Sequence, residues 1–142
     1  MSDSEALLIF SDDWARACAL VLNQGEGYRA AAATWEAIIV LTMTEVAPKG
    51  GERRVLLDLF QGACRAARAG NADDETGAHY VMSGSELAWR QVLTGTVPPL
   101  MAIMTGKIRL AKGNLMELLP YVSAARELVM AAAKVPTSNR ES

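Results

Sequence analysis

His79 is the only histidine of the chain, so a Ser-His-Asp triad or a Cys-His pair would have to be built around it. The alternating pattern of this segment places His79 opposite Tyr80 and Met82 on a strand, where a side chain faces solvent or lies on the surface of a sheet. The sequence contains no GxSxG elbow, Walker loop or GxGxxG motif. We therefore expect no catalytic residue and no enzymatic activity.

Two further sets of residues belong to types that bind metals. Cys18 and Cys64 form no CxxC or Cys-His spacing, so they are predicted to be small buried apolar residues. Asp73, Asp74 and Glu75 are adjacent in a stretch rich in turn-forming residues, which predicts a solvated acidic tip. We expect no metal and no cofactor.

Lys107, Arg109 and Lys112 form a compact basic patch on a predicted strand. Two interpretations of this patch remain open. Each basic residue near an anionic membrane contributes on the order of 1 kcal/mol, but such residues also solvate the exposed face of a sheet. Transient contact with a membrane surface is therefore retained as a hypothesis.

The composition is that of one globular domain. The chain has 142 residues, of which 51% are hydrophobic, and this excludes a disordered or low-complexity protein. A formal net charge of −2 supplies no basic field for a phosphate backbone, so no nucleic acid partner is expected. The first basic residue is Arg16, and the most apolar stretches, Ala37–Thr44 and Val97–Thr105, are shorter than the roughly 20 residues that span a bilayer. These features predict a cytoplasmic protein.

The first half of the chain is predicted to form a helix and then a set of strands. Ser11 is the expected N-cap of a helix over Ser11–Asn23. Arg53–Phe60 is a predicted strand, and Ala63–Ala69 is a weaker one, because helix propensity alone favours a helix there. The strand before them begins at Thr34, and its apolar face consists of Trp35, Ala37, Ile39, Leu41 and Met43.

The second half alternates short strands with helices. His79–Ser83 is a predicted strand, and Ser83 with Glu86 has the spacing of a capping box for a helix that ends at Gly95. Pro120 must break the last helical segment, because its ring clashes with the carbonyl four residues earlier. The remaining predicted features are a helical turn over Leu100–Thr105, a strand over Lys107–Lys112, a cap at Asn114, and an apolar stripe of Val122, Ala125, Val129 and Ala132.

Several short motifs follow one another between Tyr80 and Leu128. They are a strand ending in Ser-Gly, a helix with Trp89 and Leu93-Thr94-Gly95, the segment Pro98–Thr105, then Gly106-Lys107-Ile108-Arg109-Leu110 and Gly113-Asn114. In this order they resemble the sterol carrier protein-2 family. The likeness to bacterial stand-alone members extends from Phe10 to Lys134, through Phe10-Ser11-Asp12-Asp13-Trp14, Tyr28-Arg29-Ala30-Ala31-Ala32 and Trp35-Glu36. Asn114 stands where the family often has aspartate, and Ala102 stands where the family has aromatic or larger residues. These two differences leave the identity of the ligand open.

The resemblance implies an α+β fold, in which helices cover a five-stranded, mainly antiparallel sheet. It also implies an apolar tunnel between sheet and helices that accepts fatty acyl chains, sterols or other lipids, and it implies no catalytic residue. We expect an N-terminal segment over residues 1–10, a lipid-binding domain over residues 11–135 and a flexible tail over residues 136–142.

The expected function is the non-catalytic binding, and the transfer, of a hydrophobic ligand held mostly by apolar burial. Two alternatives remain open: an interaction or dimerisation module with an exposed apolar face, and an accessory protein that presents a lipid, such as an isoprenoid quinone precursor, to a biosynthetic enzyme. The expected oligomeric state is a monomer or weak homodimer. Inward stripes of the predicted elements suggest that the pocket is lined by Trp35, Ile39, Met82, Trp89, Leu93, Met101, Met104, Ile108, Leu119 and Val122.

Overall fold

The computed structural model describes residues 7–46 and 51–138. In chain order its strands are β1 (Leu7–Leu8), β2 (Glu36–Val46), β3 (Gly51–Phe60), β4 (Ala63–Gly70), β5 (Tyr80–Ser85), β6 (Ile108–Lys112) and β7 (Thr137–Ser138). The helices are α1 (Asp12–Gln24), α2 (Glu26–Ala31), α3 (Asp74–Gly77), α4 (Glu86–Leu93), α5 (Pro99–Met104), α6 (Leu115–Leu118) and α7 (Val122–Ala133), with a 3-10 turn over Leu119–Tyr121. No helix within these residues has the length and apolarity needed to cross a bilayer.

The main sheet has the strand order β4-β3-β2-β5-β6. Strands β2 and β5 run parallel, whereas the other neighbouring pairs are antiparallel. Helices α1 and α4 pack on one face of this sheet, and α7 packs against both of them. The predicted α+β class and the mainly antiparallel five-stranded sheet are confirmed.

The alternation in β2 buries one face of the strand against the helices. Ala37, Ile39, Leu41 and Met43 are all buried on that side. Val40 on the opposite face is also buried, in a small cluster with Ala78 and Val81. The second face of the sheet is therefore covered at its centre as well.

The acidic turn lies across this second face and is not the solvated tip predicted from the sequence. Thr42 Oγ1 donates a hydrogen bond to Glu75 Oε2 over 2.7 Å, and the same oxygen forms an ion pair with Arg54. Asp74 pairs with Arg68 and accepts a hydrogen bond from the backbone N–H of Asn71. The carboxylates thus attach α3 to strands β2, β3 and β4. The alternation of apolar residues in the sequence does not predict these contacts.

Helices α1 and α4 both begin at a serine cap, one of them at a different serine from the one predicted. Ser11 Oγ accepts from Trp14 N over 3.1 Å, which confirms Ser11 as the N-cap of α1. At α4 the cap is Ser85, which accepts from Ala88 N, and the prediction of Ser83 is wrong. Ser83 remains in the sheet, paired with Thr42, so strand pairing prevails over capping-box spacing there.

Pro120 interrupts the C-terminal helical segment as predicted. It lies in the 3-10 turn between α6 and α7, and Asn114 caps α6 by accepting from Met116 N over 2.8 Å. The predicted inward position of Val122 is not observed, since 37% of this residue is exposed. The buried side chains of α7 are instead Ala124, Ala131 and Ala132.

Both ends of the described chain join the folded unit. Ile9 and Phe10 are almost completely buried, so the expected boundary at residue 11 lies within the core. Strand β1 pairs in parallel with β7, so Thr137 and Ser138, expected in a flexible tail, form a short strand. Residues 1–6 and 139–142 of the expected terminal segments lie outside the described residues.

Candidate functional site

An internal cavity of about 80 Å³ lies between the helices and the inner face of the sheet. Its described wall consists entirely of apolar residues and cysteines, with no charged side chain. The lining residues are Trp14, Cys18, Ala19, Leu22, Trp35, Ile39, Leu41, Leu57, Cys64, Met82, Trp89, Val92, Leu93, Pro99, Ile103, Ile108, Ala125, Leu128, Val129 and Ala132.

The floor of the cavity follows from the two-residue period of the strands. Ile39 and Leu41 of β2, Leu57 of β3, Met82 of β5 and Ile108 of β6 all project to the same side of the sheet. Because the strands pair in register, their inward side chains form a continuous apolar surface. The sheet thus supplies one wall that is fixed by main-chain hydrogen bonds.

Trp89 is held in the opposite wall by a buried hydrogen bond. Its Nε1 donates to the carbonyl oxygen of Thr42 over 2.9 Å. Gly84 lies beside this bond: a Cβ atom at position 84 would lie 2.5 Å from Cδ1 of Ile108, which is too close, and 3.5 Å from Nε1 of Trp89, which is an ordinary contact. The absent side chain therefore leaves room for Ile108 beside the cavity.

Aromatic rings strengthen two sides of the wall. Phe10 lies between Trp14 and Trp89, with ring-centroid distances of 5.1 Å and 5.4 Å. Trp35 stacks on Tyr121, which belongs to the 3-10 turn before α7. Such aromatic pairs contribute about 0.5–1.5 kcal/mol beyond the apolar area that they bury.

The two cysteines line the cavity as neutral thiols. Burial raises the pKa of Cys18 to about 12 and that of Cys64 to about 11. Only a thiolate is a good nucleophile or metal ligand, so both groups are unreactive near neutral pH. The prediction that they are buried apolar residues is confirmed, and both are free of disulfide bonds.

His79 lies away from this cavity. Its side chain is exposed, and its Nδ1 accepts from Ile38 N over 2.9 Å, while its own backbone N–H donates to the carbonyl of Ile38. These bonds fasten the start of β5 to β2. Among the described residues, no serine or cysteine forms a hydrogen bond with the imidazole.

The partly exposed part of the wall is concentrated on two helices. Pro99 and Ile103 of α5, and Ala125, Leu128 and Val129 of α7, line the cavity and are neither fully buried nor fully exposed. The strand residues of the floor are, in contrast, mostly buried. Most of the partly exposed residues of the wall therefore lie on α5 and α7.

The structure brings together six of the ten residues predicted from the sequence to line the pocket. They lie on the cavity wall: Trp35, Ile39, Met82, Trp89, Leu93 and Ile108. The other four lie outside the cavity wall: Met101 is 51% exposed, Met104 68%, Leu119 42% and Val122 37%. The short helix α5 turns Ile103 inward instead of Met101 and Met104, and α7 turns Ala125 inward instead of Val122.

Sequence reasoning missed the contribution of α1 and most of that of α7. The signal for α1 was present, because Trp14, Cys18 and Leu22 form one stripe at helical spacing. For α7 the predicted stripe already contained Ala125, Val129 and Ala132, which line the cavity, but only Val122 of that stripe was named as a pocket residue, and Leu128 lies outside the stripe. Leu57 lies on a strand that was predicted, Arg53–Phe60, but it was not named as a pocket residue.

Comparison with known proteins places the chain in a family. The SCP-2 sterol transfer family matches residues 18–125, whereas no curated protein sequence is significantly similar. A crystal structure of sterol carrier protein 2 is 40% identical, with a TM-score of 0.81 over 89% of this chain and 98% of the other. A candidate sterol carrier protein from Thermus thermophilus is 38% identical, with a TM-score of 0.82 over 96% and 95% of the two chains. Sterol carrier protein-2 of Aedes aegypti, solved with palmitate, has the same fold at 16% identity, with a TM-score of 0.50 over 83% and 98%. The chain belongs to the SCP-2 sterol transfer family.

Proposed function

We propose that the protein binds a largely hydrocarbon, lipid-like molecule in the cavity between the sheet and α1, α4, α5 and α7, and does not transform it chemically. The observation that carries this proposal is the uncharged wall around an internal space. Apolar cavities of this kind stay dry and accept apolar guests. Each methylene group that leaves water contributes about 0.8 kcal/mol, so an acyl chain needs few polar contacts.

The size of the cavity indicates how such a ligand would enter. On the same measure a water molecule needs roughly 10–15 Å³, so the space of about 80 Å³ holds several small groups but not a long chain without movement. The floor is fixed by the sheet, whereas Pro99, Ile103 and Val129 lie on partly exposed helices. We expect α5 and α7 to separate when a long chain binds, and Met82 to repack around it because its thioether side chain is flexible.

The proposed binding residues follow from this placement. Trp35, Ile39, Met82, Trp89, Leu93 and Ile108 would contact the bound chain, and Ile103, Ala125 and Leu128 would border its path of entry. Membership of the SCP-2 sterol transfer family supports a carrier role. The Aedes aegypti protein of the same fold was solved with palmitate, which makes fatty acids suitable first probes.

The proposal is tested by binding a fluorescent fatty acid to the purified, delipidated protein, and by mass spectrometry of lipids that co-purify with it. Ala125→Phe fills the cavity from α7 and should weaken fatty acid affinity by at least about tenfold, because steric overlap removes the space for the chain. Ala133→Phe adds the same ring at an exposed position of the same helix and should bind like the wild type. Protein that carries no lipid and binds no fatty acid would contradict the proposal.

A further inference from the structure

Trp14 carries a hydrogen-bond donor that has no acceptor. Its side chain lines the cavity, and the residue is only 2% exposed. The indole Nε1 is buried and forms no hydrogen bond with any described residue. A buried indole N–H usually has a partner, because the bond that it made to water in the unfolded chain must be replaced. The exception at Trp14 therefore requires an explanation.

Trp89 lies in the same cavity wall and shows the usual arrangement. Its Nε1 donates to the main-chain oxygen of Thr42 over 2.9 Å. The ring of Phe10 contacts both indoles, with centroids 5.1 Å from Trp14 and 5.4 Å from Trp89. The fold thus supplies an acceptor to one of these two neighbouring tryptophans and not to the other.

The cavity wall offers no oxygen atom of a side chain to the Trp14 N–H. Every described residue of the wall has a hydrocarbon, indole, thioether or thiol side chain, and the thiol of Cys64 is itself a donor, to the carbonyl of Ala66. A water molecule is a poor partner as well, because a buried water usually makes about three hydrogen bonds and would find one strong donor here. An acceptor that suits Trp14 must therefore belong to a molecule that also fills apolar space.

Such an acceptor must be uncharged. No lysine, arginine or histidine lies in the described part of the wall, so an ionised carboxylate or phosphate inside would lose its hydration without gaining a counter-charge. A ketone, ester or hydroxyl oxygen loses much less on burial and can accept one hydrogen bond. The carboxylate of a fatty acid would accordingly stay outside the cavity while its chain lies within.

We propose that Trp14 selects a lipid with an uncharged oxygen acceptor in its apolar body, by donating the indole N–H to that oxygen inside the cavity. The inference rests on the proposed function, since it requires a lipid-like molecule in this cavity. Apolar burial supplies most of the affinity, and the single hydrogen bond positions the oxygen along the wall. A purely hydrocarbon guest leaves the Trp14 N–H unbonded and is held by burial alone.

The indole proton signals in NMR spectra of the wild type test this bond directly. Octane, octan-2-one and octanoate at pH 7 are suitable probes, because they share a chain length and differ in the oxygen group. Octan-2-one should move the Trp14 proton downfield of its position with octane, since a hydrogen bond deshields the proton, whereas octanoate should not. Trp89 is the internal reference, because its N–H is already bonded to Thr42, and its proton should respond alike to octane and octan-2-one.

The affinities of the same probes give a second measurement. Trp14→Phe keeps an aromatic ring and removes the N–H, so it should lower the affinity for octan-2-one relative to octane by about fivefold, the net value of one hydrogen bond. The ratio of the two affinities cancels the loss of packing, which affects both probes. Tyr28→Phe is the matched control, because the Tyr28 hydroxyl is also buried without a partner but does not line the cavity. This control should keep the wild-type ratio.

Three results would overturn the role of Trp14 and leave the proposed function intact, because the probes still bind. Octan-2-one leaves the Trp14 proton where octane does, octanoate shifts it as far as octan-2-one, or Trp14→Phe and Tyr28→Phe give the same affinity ratio. A different result overturns the proposed function together with this inference. In that case no probe alters the methyl signals of Ile39 and Ile108, which line the cavity.

Discussion

Trp35 and Tyr121 stack almost in parallel, with ring centroids 5.1 Å apart and planes inclined by 12°. Trp35 immediately precedes β2 and lines the cavity, whereas Tyr121 follows Pro120 in the 3-10 turn that interrupts the C-terminal helical segment. The Tyr121 hydroxyl also lies 3.3 Å from Thr34 Oγ1. This pair fastens the start of α7 to the sheet beside the cavity.

Replacing Tyr121 by leucine should loosen this attachment. We expect the free energy of unfolding in urea to fall by about 1 kcal/mol, because the aromatic pair is lost, and a bound fluorescent fatty acid to dissociate faster in stopped-flow displacement. Tyr121→Phe keeps the stacked ring and loses only the hydroxyl near Thr34, so it should resemble the wild type in both measurements. A leucine variant with unchanged stability and release would show that the stack does not restrain α7.

Gly84 should not tolerate a side chain. A Cβ atom there would meet Cδ1 of Ile108 at 2.5 Å and the carbonyl oxygen of Lys107 at 3.2 Å. Gly84→Ala should therefore lower the free energy of unfolding by about 1–3 kcal/mol, as overpacking does, and weaken fatty acid binding by moving Ile108 into the cavity. Gly77→Ala is the matched control, because nothing lies within 4 Å of its Cβ position. The control should leave stability unchanged or raise it by up to about 1 kcal/mol, and equal effects of the two variants would contradict the steric argument.

The buried thiols should make the fold less stable in alkali. Their pKa values, about 12 for Cys18 and about 11 for Cys64, lie above the ordinary value of 9.0 because of burial. A group whose pKa is raised by folding stabilises the protein fully below its unfolded pKa, and this stability is lost as pH rises towards the folded pKa. At pH 10 each thiol should lower the free energy of unfolding by roughly 1.4 kcal/mol relative to pH 7.

Urea unfolding of the wild type and of Cys18→Ala with Cys64→Ala measures this contribution. Between pH 9 and pH 10 the double variant should lose less stability than the wild type. Burial also raises the pKa of Tyr28, but that residue is present in both proteins and cancels in the comparison. Identical pH profiles would mean that the thiols ionise as readily in the folded protein as in the unfolded chain.

Glu75 should contribute stability that disappears in acid. Its hydrogen bond with the Arg54 guanidinium holds the pKa of this carboxyl below its ordinary value of 4.5. A group whose pKa is lowered by folding stabilises the protein above its unfolded pKa, and the effect is lost as pH falls through the folded pKa. Glu75→Gln should therefore be less stable than the wild type at pH 6, by no more than about 1 kcal/mol for a solvent-accessible pair.

The difference between wild type and Glu75→Gln should shrink as the urea titrations are repeated at pH values below 4.5. Asp73→Asn removes a neighbouring exposed carboxylate, whose side chain forms no capping hydrogen bond. It should leave stability nearly unchanged at pH 6. A difference for Glu75→Gln that persists undiminished in strong acid would assign the effect to its hydrogen bond with Thr42 and not to charge.

The strands could be predicted because their local pattern and their packing agree. Trp35, Ala37, Ile39, Leu41 and Met43 recur at every second position, and burial on one face of a sheet requires that period. The cap at Ser11 and the break at Pro120 could also be predicted, since each depends on one residue and its immediate neighbours. The family resemblance added the five-stranded, mainly antiparallel arrangement, which alternation alone does not contain.

The details of the candidate site depended on features that sequence spacing does not encode. Met101 and Ile103 are both apolar residues of one short helix, and only tertiary packing decides that Ile103 faces the cavity and Met101 faces solvent. Likewise, Ser83 and Ser85 can both cap a helix, and pairing of Ser83 with Thr42 decides between them. Glu75 reaches Thr42 only because α3 folds back over the sheet.

Strand β2 occupies the middle of the sheet, and its two neighbours lie at very different distances along the chain. β3 begins soon after β2 ends, whereas β5 follows only after β3, β4 and α3. Because contacts between nearby segments form faster than contacts between distant ones, the β2-β3-β4 meander should assemble first during folding. The parallel pairing of β5 with β2 should then be the slow step of folding. This step also brings Trp89 and Ile108 into place and so closes the cavity.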